Sequence, residues 1–287
     1  MTFSSFSNQL HLSASKSLVD NFRQTLRRHA RFVFTASFLT LAFSCSAYAQ
    51  TSTSALPDAP EAQTQTQDAV TIRNAPRNIL KDQEAIWTSP FRFRAANLKW
   101  EVPLLLVTGA AIATDHRTLR DVVSLDHNFN NDNTNASNIL IAPYIAAPVV
   151  LYGVGHFRGN EHARETGILG AEALLDGVVV EQGMKLIFWR EWPYQNLERG
   201  RFFTSSAGID SSFPSSHSVL AWSTAAVIAN EYPHFWTEAL VYTGAAGISF
   251  TRLMGQQHFP SDILVGSAAG WLVGHYVYRH HHKVRMQ

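Results

Sequence analysis

The chain has 287 residues, of which 46% are hydrophobic and 16% are charged, with a formal net charge of +1. This length and apolar content suffice for a full hydrophobic core, and a near-neutral charge without a long basic stripe argues against a nucleic-acid partner. The single cysteine, Cys45, lies inside a predicted export signal, so the mature chain requires no disulfide chemistry.

The N-terminal segment, residues 1–49, is predicted to be a signal peptide with an N-terminal extension. It contains three arginines between residues 27 and 31, an apolar stretch over 32–43 and a small-x-small cleavage site at 47–49. Cleavage before Gln50 would release an exported protein of the periplasm or cell envelope.

Residues 50–78 are rich in Thr, Gln, Ser, Ala and Pro, which predicts a disordered linker. A single helical domain is expected over 79–280, followed by a tail at 281–287. The three consecutive histidines at 280–282 are interpreted as part of a solvated tail, with metal binding or a cloning remnant as alternatives.

Apolar periodicity predicts an all-α bundle of about six core helices, with no sustained strand alternation. The asparagine-dense stretch 128–138 is predicted to be a polar loop. If neighbouring helices are antiparallel, the ends of the third and fifth helices and the starts of the fourth and sixth meet at one end of the bundle, where the active site is expected. The predicted helices cover 97–114, 137–156, 162–190, 217–230, 236–252 and 260–279.

The uncharged runs in these helices, 102–114, 139–155 and 263–278, are shorter than the roughly 20 residues that a membrane-spanning helix needs. The sequence therefore predicts an exported domain that associates with the membrane surface, with an integral membrane protein as the alternative. Glycines at 266, 270 and 274 repeat every four residues, which predicts one face of close helix packing.

Two short segments carry the chemistry. The first is Pro214-Ser215-Ser216-His217, in which Ser215 or Ser216 is predicted to cap a helix, so that His217 stands at a helix N-terminus. Free backbone N–H groups and the positive end of the helix dipole favour an anion at such a position.

The second segment is Thr251-Arg252, followed by His258 and Asp262. Pro260 disfavours helical angles at the preceding residue, so the last helix is predicted to begin at Pro260 with His258 just ahead of it. Asp262 is expected to accept a proton from one ring nitrogen of His258, which leaves the other nitrogen free to attack. Two histidines, a cation, a carboxylate and hydroxyls suit phosphate binding and proton transfer.

At these residues the chain resembles the superfamily of type 2 phosphatidic acid phosphatases, bacterial acid phosphatases and vanadium haloperoxidases. The family signature is Lys-x6-Arg-Pro, Pro-Ser-Gly-His and Ser-Arg-x5-His-x3-Asp. This chain has serine at the glycine position, Ser216, and threonine at the serine position, Thr251. Lys185 and Pro193 are in register with the first motif, but Trp192 occupies the arginine position.

The resemblance implies a metal-independent phosphatase without cofactors that hydrolyses phosphate monoesters, such as lipid or other envelope phosphates, through a covalent phosphohistidine. It implies His258 as nucleophile, Asp262 as its orienting partner and His217 as acid. The implied phosphate-binding groups are Lys185, Ser215, the Ser216 amide and Arg252.

Trp192 carries no charge and donates only once, so another arginine must replace the missing one or the phosphate contact is lost. Arg190 is the first candidate if the helix unwinds before Pro193, and Arg199 and Arg201 are others. Two alternatives stay open: a haloperoxidase that requires vanadate, and a degenerate, non-catalytic relative that binds a phospholipid.

Overall fold

The computed structural model describes residues 70–89, 97–194, 200–204 and 211–282. The regular secondary structure in these ranges is entirely helical, which confirms the predicted all-α class. The predicted signal peptide and residues 50–69 of the predicted linker lie outside the described residues. The helices are α1 (Ala75–Thr88), α2 (Leu98–Val122), α3 (His127–Arg158), α4 (Glu161–Phe188), α5 (Ser216–Glu231), α6 (Phe235–Met254) and α7 (Pro260–His281).

Helices α2 to α7 correspond to the six predicted helices, and α1 was not predicted. It begins at Ala75, inside the stretch 50–78 that composition assigned to the linker. The helix packs on α4 through Trp87, whose ring would lie 2.4 Å from a Cβ placed on Gly183. Asn78 donates to Glu172 at 3.1 Å, and Gln83 donates to the Asp176 carboxylate at 2.8 Å. Tertiary contacts of this kind stabilise a segment whose composition alone reads as linker.

The prediction of a loop at 128–138 is wrong, because α3 begins at His127. Asp126 caps the helix by accepting hydrogen bonds from the amides of Asn128 and Phe129, at 2.9 and 3.1 Å. Further along, the Asn133 side chain donates back to the Phe129 carbonyl at 2.8 Å. A strong N-cap and local side-chain bonds thus compensate for the low helix propensity of asparagine.

Helices α5 and α7 run parallel in close contact, so that both begin at the same end of the bundle. The predicted packing role of the three glycines is confirmed, because a Cβ on any of them would collide with the α5 backbone. The built Cβ atoms of Gly266, Gly270 and Gly274 lie 2.9, 2.3 and 2.3 Å from the carbonyl oxygens of Ser215, Val219 and Ser223, respectively.

Helix α4 is antiparallel to α5. Its last turns approach the start of α5, where Ser216 donates to Glu181 at 2.6 Å, and its first turn approaches the end of α5, where His162 lies 2.9 Å from Glu231. The C-terminal ends of α4 and α6 and the N-terminal ends of α5 and α7 therefore meet, as the sequence predicted. The largest apolar core cluster joins α3, α5 and α6 around Trp222 and Tyr242.

Helices α2 and α3 carry many exposed apolar side chains. Leu105 and Leu106 on α2 are each 69% exposed, and Val149 and Phe157 on α3 are 72% and 88% exposed. Among the described helices, α3 alone is long and apolar enough to cross a bilayer by length and composition, and only 17% of its most apolar window is buried. The apolar surface formed by the exposed residues of α2 and α3 is named here the α2–α3 face.

Candidate active site

Two imidazoles stand at the paired helix starts. His217 lies in the first turn of α5, which Ser215 caps by accepting from the Ser218 amide, and His258 lies two residues before α7, whose N-cap is Phe259. The predicted cap at Ser215 and the predicted start of the last helix at Pro260 are thus confirmed. Burial lowers the pKa of His217 to about 3, with further lowering by Arg252, His258 and Lys185. These four side chains therefore lie within electrostatic range of one another.

The ring of His258 is almost fully buried, with 1% of the residue exposed. Its Nδ1 lies 2.9 Å from the Ser212 carbonyl oxygen and 3.7 Å from Asp262 Oδ2. The hydrogen-bond acceptor is therefore a main-chain carbonyl rather than Asp262, which corrects the predicted partner. Because a carbonyl only accepts, Nδ1 carries the proton and Nε2 keeps its lone pair.

Burial lowers the pKa of His258 well below its usual value, and the nearby Arg252 and Lys185 lower it further. The imidazole is consequently neutral at pH 7. A neutral ring with a fixed tautomer is the form that can act as a nucleophile.

Asp262 forms an ion pair with Arg190. The guanidinium donates to Asp262 Oδ1 at 2.5 Å, to Ser261 Oγ at 2.7 Å and to Asp115 Oδ2 at 2.7 Å, while its Nε donates to the Gly200 carbonyl at 3.1 Å. Burial raises the pKa of Asp262 to about 6 against the lowering effect of Arg190, so this carboxylate is ionised at pH 7.

The placement of Arg190 argues against the predicted phosphate-binding role. Its guanidinium is 2% exposed and lies between the rings of Phe202 and Phe259, at 4.5 and 4.1 Å from their centroids. With four of its five N–H donors committed to this network, it acts as a structural cation beneath the site. Arg201, another candidate, pairs with Glu191 at 3.0 Å, and Arg199 lies outside the described residues.

Arg252, near the end of α6, is a buried cation with an unused donor. It is 7% exposed, its Nη1 donates to Ser137 Oγ at 3.4 Å, and its Nε has no hydrogen-bond partner among the described residues. Burial lowers the pKa of Arg252 to about 10, so the side chain stays charged at pH 7. A buried guanidinium with an unsatisfied donor favours an anion such as phosphate.

Lys185 and Ser216 share a carboxylate that the sequence analysis did not include in the site. Lys185 Nζ lies 2.9 Å from Glu181 Oε1, and the Ser216 hydroxyl donates to the same oxygen at 2.6 Å. The serine at the family's glycine position therefore directs its side chain to Glu181. Its backbone amide belongs to the first turn of α5, where N–H groups have no intrahelical acceptor.

The remaining hydroxyls have local partners. Ser215 is fully buried and accepts from the Ser218 hydroxyl at 3.1 Å. Thr251 donates back to the carbonyls of Gly247 and Ile248 at 3.0 and 2.9 Å. Ser215 thus fixes the start of α5, and the Thr251 hydroxyl is used within α6.

Trp192 forms an aromatic wall of the site. Its ring centroid lies 5.0 Å from that of His258 and 5.7 Å from that of Tyr194, and Lys185 Nζ lies 5.6 Å above the ring. The position that holds the family's arginine is therefore occupied by an apolar surface in contact with the predicted nucleophile. This ring also holds the ammonium group through a cation–π contact.

Two residues of α3 also contact the site, and sequence reasoning missed them. Asn138 Oδ1 lies 3.1 Å from His217 Nε2, and Ser137 contacts Arg252. Both lie at the end of the asparagine-dense stretch that was predicted to be a loop. Because the surrounding stretch is polar throughout, no periodic pattern marked these two residues.

The described structure is an α-helical bundle in which two histidines, a lysine and an arginine converge at paired helix starts, an arrangement suited to binding an anion. Residues 167–286, which contain every predicted site residue, match the family model of the PAP2 superfamily. No match to a curated protein or to a solved structure was found.

Proposed function

We propose that the protein is a phosphatase that hydrolyses phosphate monoesters through a phosphohistidine on His258. The observation that supports this most directly is the neutral His258 ring, with Nδ1 bound to the Ser212 carbonyl, beside the buried guanidinium of Arg252. The match of residues 167–286 to the PAP2 superfamily model supports the same reaction class.

In the first step His258 Nε2 attacks phosphorus, and the bond from phosphorus to the ester oxygen breaks. His217 gives a proton to the departing oxygen, so an alcohol leaves. In the second step water attacks the phosphohistidine, His217 takes a proton from that water, and the N–P bond breaks to release inorganic phosphate. Arg252, Lys185 and the first-turn amides of α5 stabilise the phosphoryl oxygens in both steps.

Asp262 and Arg190 support the nucleophile rather than the phosphate. The ionised Asp262 carboxylate lies 3.7 Å from His258 Nδ1 and favours the positive charge that develops when the ring is phosphorylated. Arg190 fixes Asp262 in place.

The aromatic wall supports a leaving group with apolar character. Trp192 is buried, while its stacking partner Tyr194 is 52% exposed, so the wall extends from the predicted nucleophile towards solvent. A lipid phosphate would place its chain along this wall. The proposed substrate is therefore a phosphorylated lipid or another envelope phosphate.

Single substitutions of the two histidines test the mechanism. In the full-length protein purified without a tag, His258→Ala is expected to reduce phosphate release from an alkyl phosphate to background. His217→Ala is expected to reduce it by at least about a hundredfold, the usual contribution of a general acid. Chelators should leave the rate unchanged below the unfolding temperature. Full activity after His258→Ala would refute the phosphohistidine.

The degenerate, non-catalytic alternative has a specific observation in its favour, namely Trp192 at the arginine position. Trp192→Arg separates the two readings, with Trp189→Arg as a control of the same charge change on a neighbouring tryptophan. Measurable turnover in the natural chain supports the enzyme. Turnover that appears only in the Trp192→Arg protein supports the binding protein.

The site and the α2–α3 face together support a location at the membrane surface of the cell envelope. The predicted signal peptide would export the chain, and the exposed leucines and valines of α2 and α3 would contact lipid. This location would place a lipid phosphate within reach of the active site.

A further inference from the structure

A second cluster of titratable side chains lies at the opposite end of the bundle. His282, which follows α7, has its Nδ1 2.9 Å from Glu231 Oε1 at the end of α5 and 3.8 Å from Glu165 Oε1 in the first turns of α4. His162 Nε2 contacts the other oxygen of Glu231 at 2.9 Å. Three helices are therefore joined by two carboxylates and two imidazoles.

The burial of the four side chains is graded. The Glu231 and Glu165 side chains are 0% and 8% exposed, while those of His282 and His162 are 24% and 32% exposed. Two carboxylates held close together in the interior repel each other and need a compensating cation. The partly exposed imidazoles offer a route by which a cation can reach them from solvent.

The distances suit a small divalent ion. The ligand atoms of Glu165, Glu231 and His282 all lie within 4.8 Å of one another. Two ligands of a tetrahedral zinc ion at 2.0–2.1 Å are separated by about 3.3 Å. The distances of 2.9 and 3.8 Å from His282 Nδ1 lie on either side of that value, so a small rotation of either carboxylate is sufficient.

The ligand types favour a particular class of metal. Imidazole with carboxylate suits zinc and its transition-metal neighbours, whereas calcium and magnesium favour oxygen ligands alone. The His282 ring is held by stacking on Tyr278 with centroids 4.6 Å apart, and the His162 ring stacks on Tyr232 at 4.4 Å. Fixed rings reduce the entropy that is lost when a metal binds.

We propose that Glu165, Glu231 and His282 bind a divalent transition-metal ion of the zinc class, with His162 as the hydrogen-bond partner of Glu231. The site is structural rather than catalytic, because Glu231 lies fourteen residues along α5 from His217, or about 21 Å at 1.5 Å per residue. The metal would fix the end of α7 to α4 and α5.

Metal content and thermal unfolding of the full-length, untagged protein test this proposal. The protein is dialysed against a buffer that has been stripped of metals and then supplemented with zinc at a low, defined concentration. Elemental analysis is expected to find about one zinc per chain. A chelator should lower the Tm, and added zinc should restore it. A zinc content near zero, with a Tm that zinc does not change, would overturn the proposal.

Isosteric variants separate the buried site from surface histidines. Glu165→Gln and Glu231→Gln keep the size of each side chain but remove a ligand charge, and each is expected to weaken zinc binding by at least about tenfold. His280→Ala is the matched control, because His280 is exposed and contacts the carbonyl and the ring of Tyr276 within its own helix. Equal zinc binding by the glutamine variants and the natural chain would assign the metal to surface histidines and overturn the proposal.

This site is independent of the proposed reaction. The glutamine variants leave the residues around His217 and His258 untouched, so phosphate release assayed below their Tm should match that of the natural chain. A metal-binding result therefore does not depend on whether the phosphatase proposal succeeds.

Discussion

At the residue scale, the ring of His258, the proposed nucleophile, is oriented by groups that the local motif does not contain. Spacing alone indicated that Asp262 would accept the His258 proton, since the two residues are four apart at a helix start. The Ser212 carbonyl takes that role at 2.9 Å, and it comes from the loop before α5, 46 residues earlier in the chain. The prediction that one ring nitrogen of His258 carries the proton while the other is free nevertheless holds, because the Ser212 carbonyl accepts from Nδ1.

The low pKa of His217, about 3, gives a prediction for the dependence of activity on pH. Burial and the cations Arg252 and Lys185 hold the His217 ring neutral at pH 7 in the free enzyme. His217 must be protonated to act as the acid, so the reaction of the dianionic substrate requires the uptake of one proton. Between pH 7 and 9, kcat/KM for an alkyl phosphate is expected to fall about tenfold per pH unit. A pH profile measured at constant ionic strength checks this.

The His217→Ala protein supplies the control for that profile. With a nitrophenyl phosphate, whose leaving group needs little protonation, the residual kcat/KM of the His217→Ala protein should depend much less on pH. An increase of kcat/KM with pH in the natural chain would contradict His217 as the acid.

The structural role of Arg190 could not be predicted from the sequence. On an ideal helix Arg190 would point to a different side from Lys185, so the sequence allowed it as a phosphate ligand only if the helix unwinds before Pro193. Its actual partners include Asp115, 75 residues away on α2. No local pattern indicates that contact, because Asp115 lies in a region without a recognisable motif.

At the element scale, the parallel contact of α5 with α7 determines where the two histidines stand. A Cβ on Gly270 would lie 2.3 Å from the Val219 carbonyl oxygen, and helix backbones cannot shift locally to avoid it. The close packing of α5 and α7 at these glycines therefore determines the positions of His217 and His258 more directly than α6, which connects the two helices.

Gly270→Ala is expected to destabilise the protein by about 1–3 kcal/mol through overpacking, with a matching loss of phosphatase activity as the helix starts move apart. Gly247→Ala is the matched control, because a Cβ at that helical position meets nothing within 4 Å. It should stabilise the protein by about 0.5–1 kcal/mol, since alanine loses less backbone entropy than glycine. Thermal unfolding of both variants measures the difference, and equal Tm values would contradict the packing argument.

Most helices could be predicted from the sequence, and the two errors have a common cause. Helices α4 to α7 have long apolar runs with clear starts, such as Pro260 after Phe259, and their local signals agree with the fold. Helix α1 and the first third of α3 are polar, so composition assigned them to linker and loop. The Asp126 cap and the contacts of α1 with α4 are the features that decide the outcome there.

At the scale of the whole molecule, the matched family region and the complete site do not coincide. The match covers 167–286, whereas Asp115, Ser137 and Asn138 come from α2 and α3. The first two helices of the predicted bundle therefore contribute contacts as well as apolar surface. The sequence supplied the motif, and the fold supplied the neighbours that hold its residues.

The α2–α3 face gives a prediction about membrane association. The mature protein is expected to float with phospholipid vesicles in a density gradient. The double variant Leu105→Ser, Leu106→Ser should bind at least about tenfold more weakly, because each leucine contributes roughly 1.5–3 kcal/mol when it is fully removed from water. Leu80→Ser is the control, since Leu80 is 74% exposed but lies on α1. Equal flotation of all three proteins would rule out this face.

The ion pair between Asp115 and Arg190 makes α2 part of the support of His258, the proposed nucleophile. Asp115 also accepts from the Ser261 amide at 3.0 Å, so α2 is bonded to the first turn of α7. Many apolar side chains on the rest of α2 are exposed. A solubilising agent that separated α2 from its neighbours would remove one of the two carboxylates that pair with Arg190 and leave the Ser261 amide without its acceptor. Because α2 is attached to the site through Asp115, activity is expected to be lost before the helical circular dichroism signal decreases.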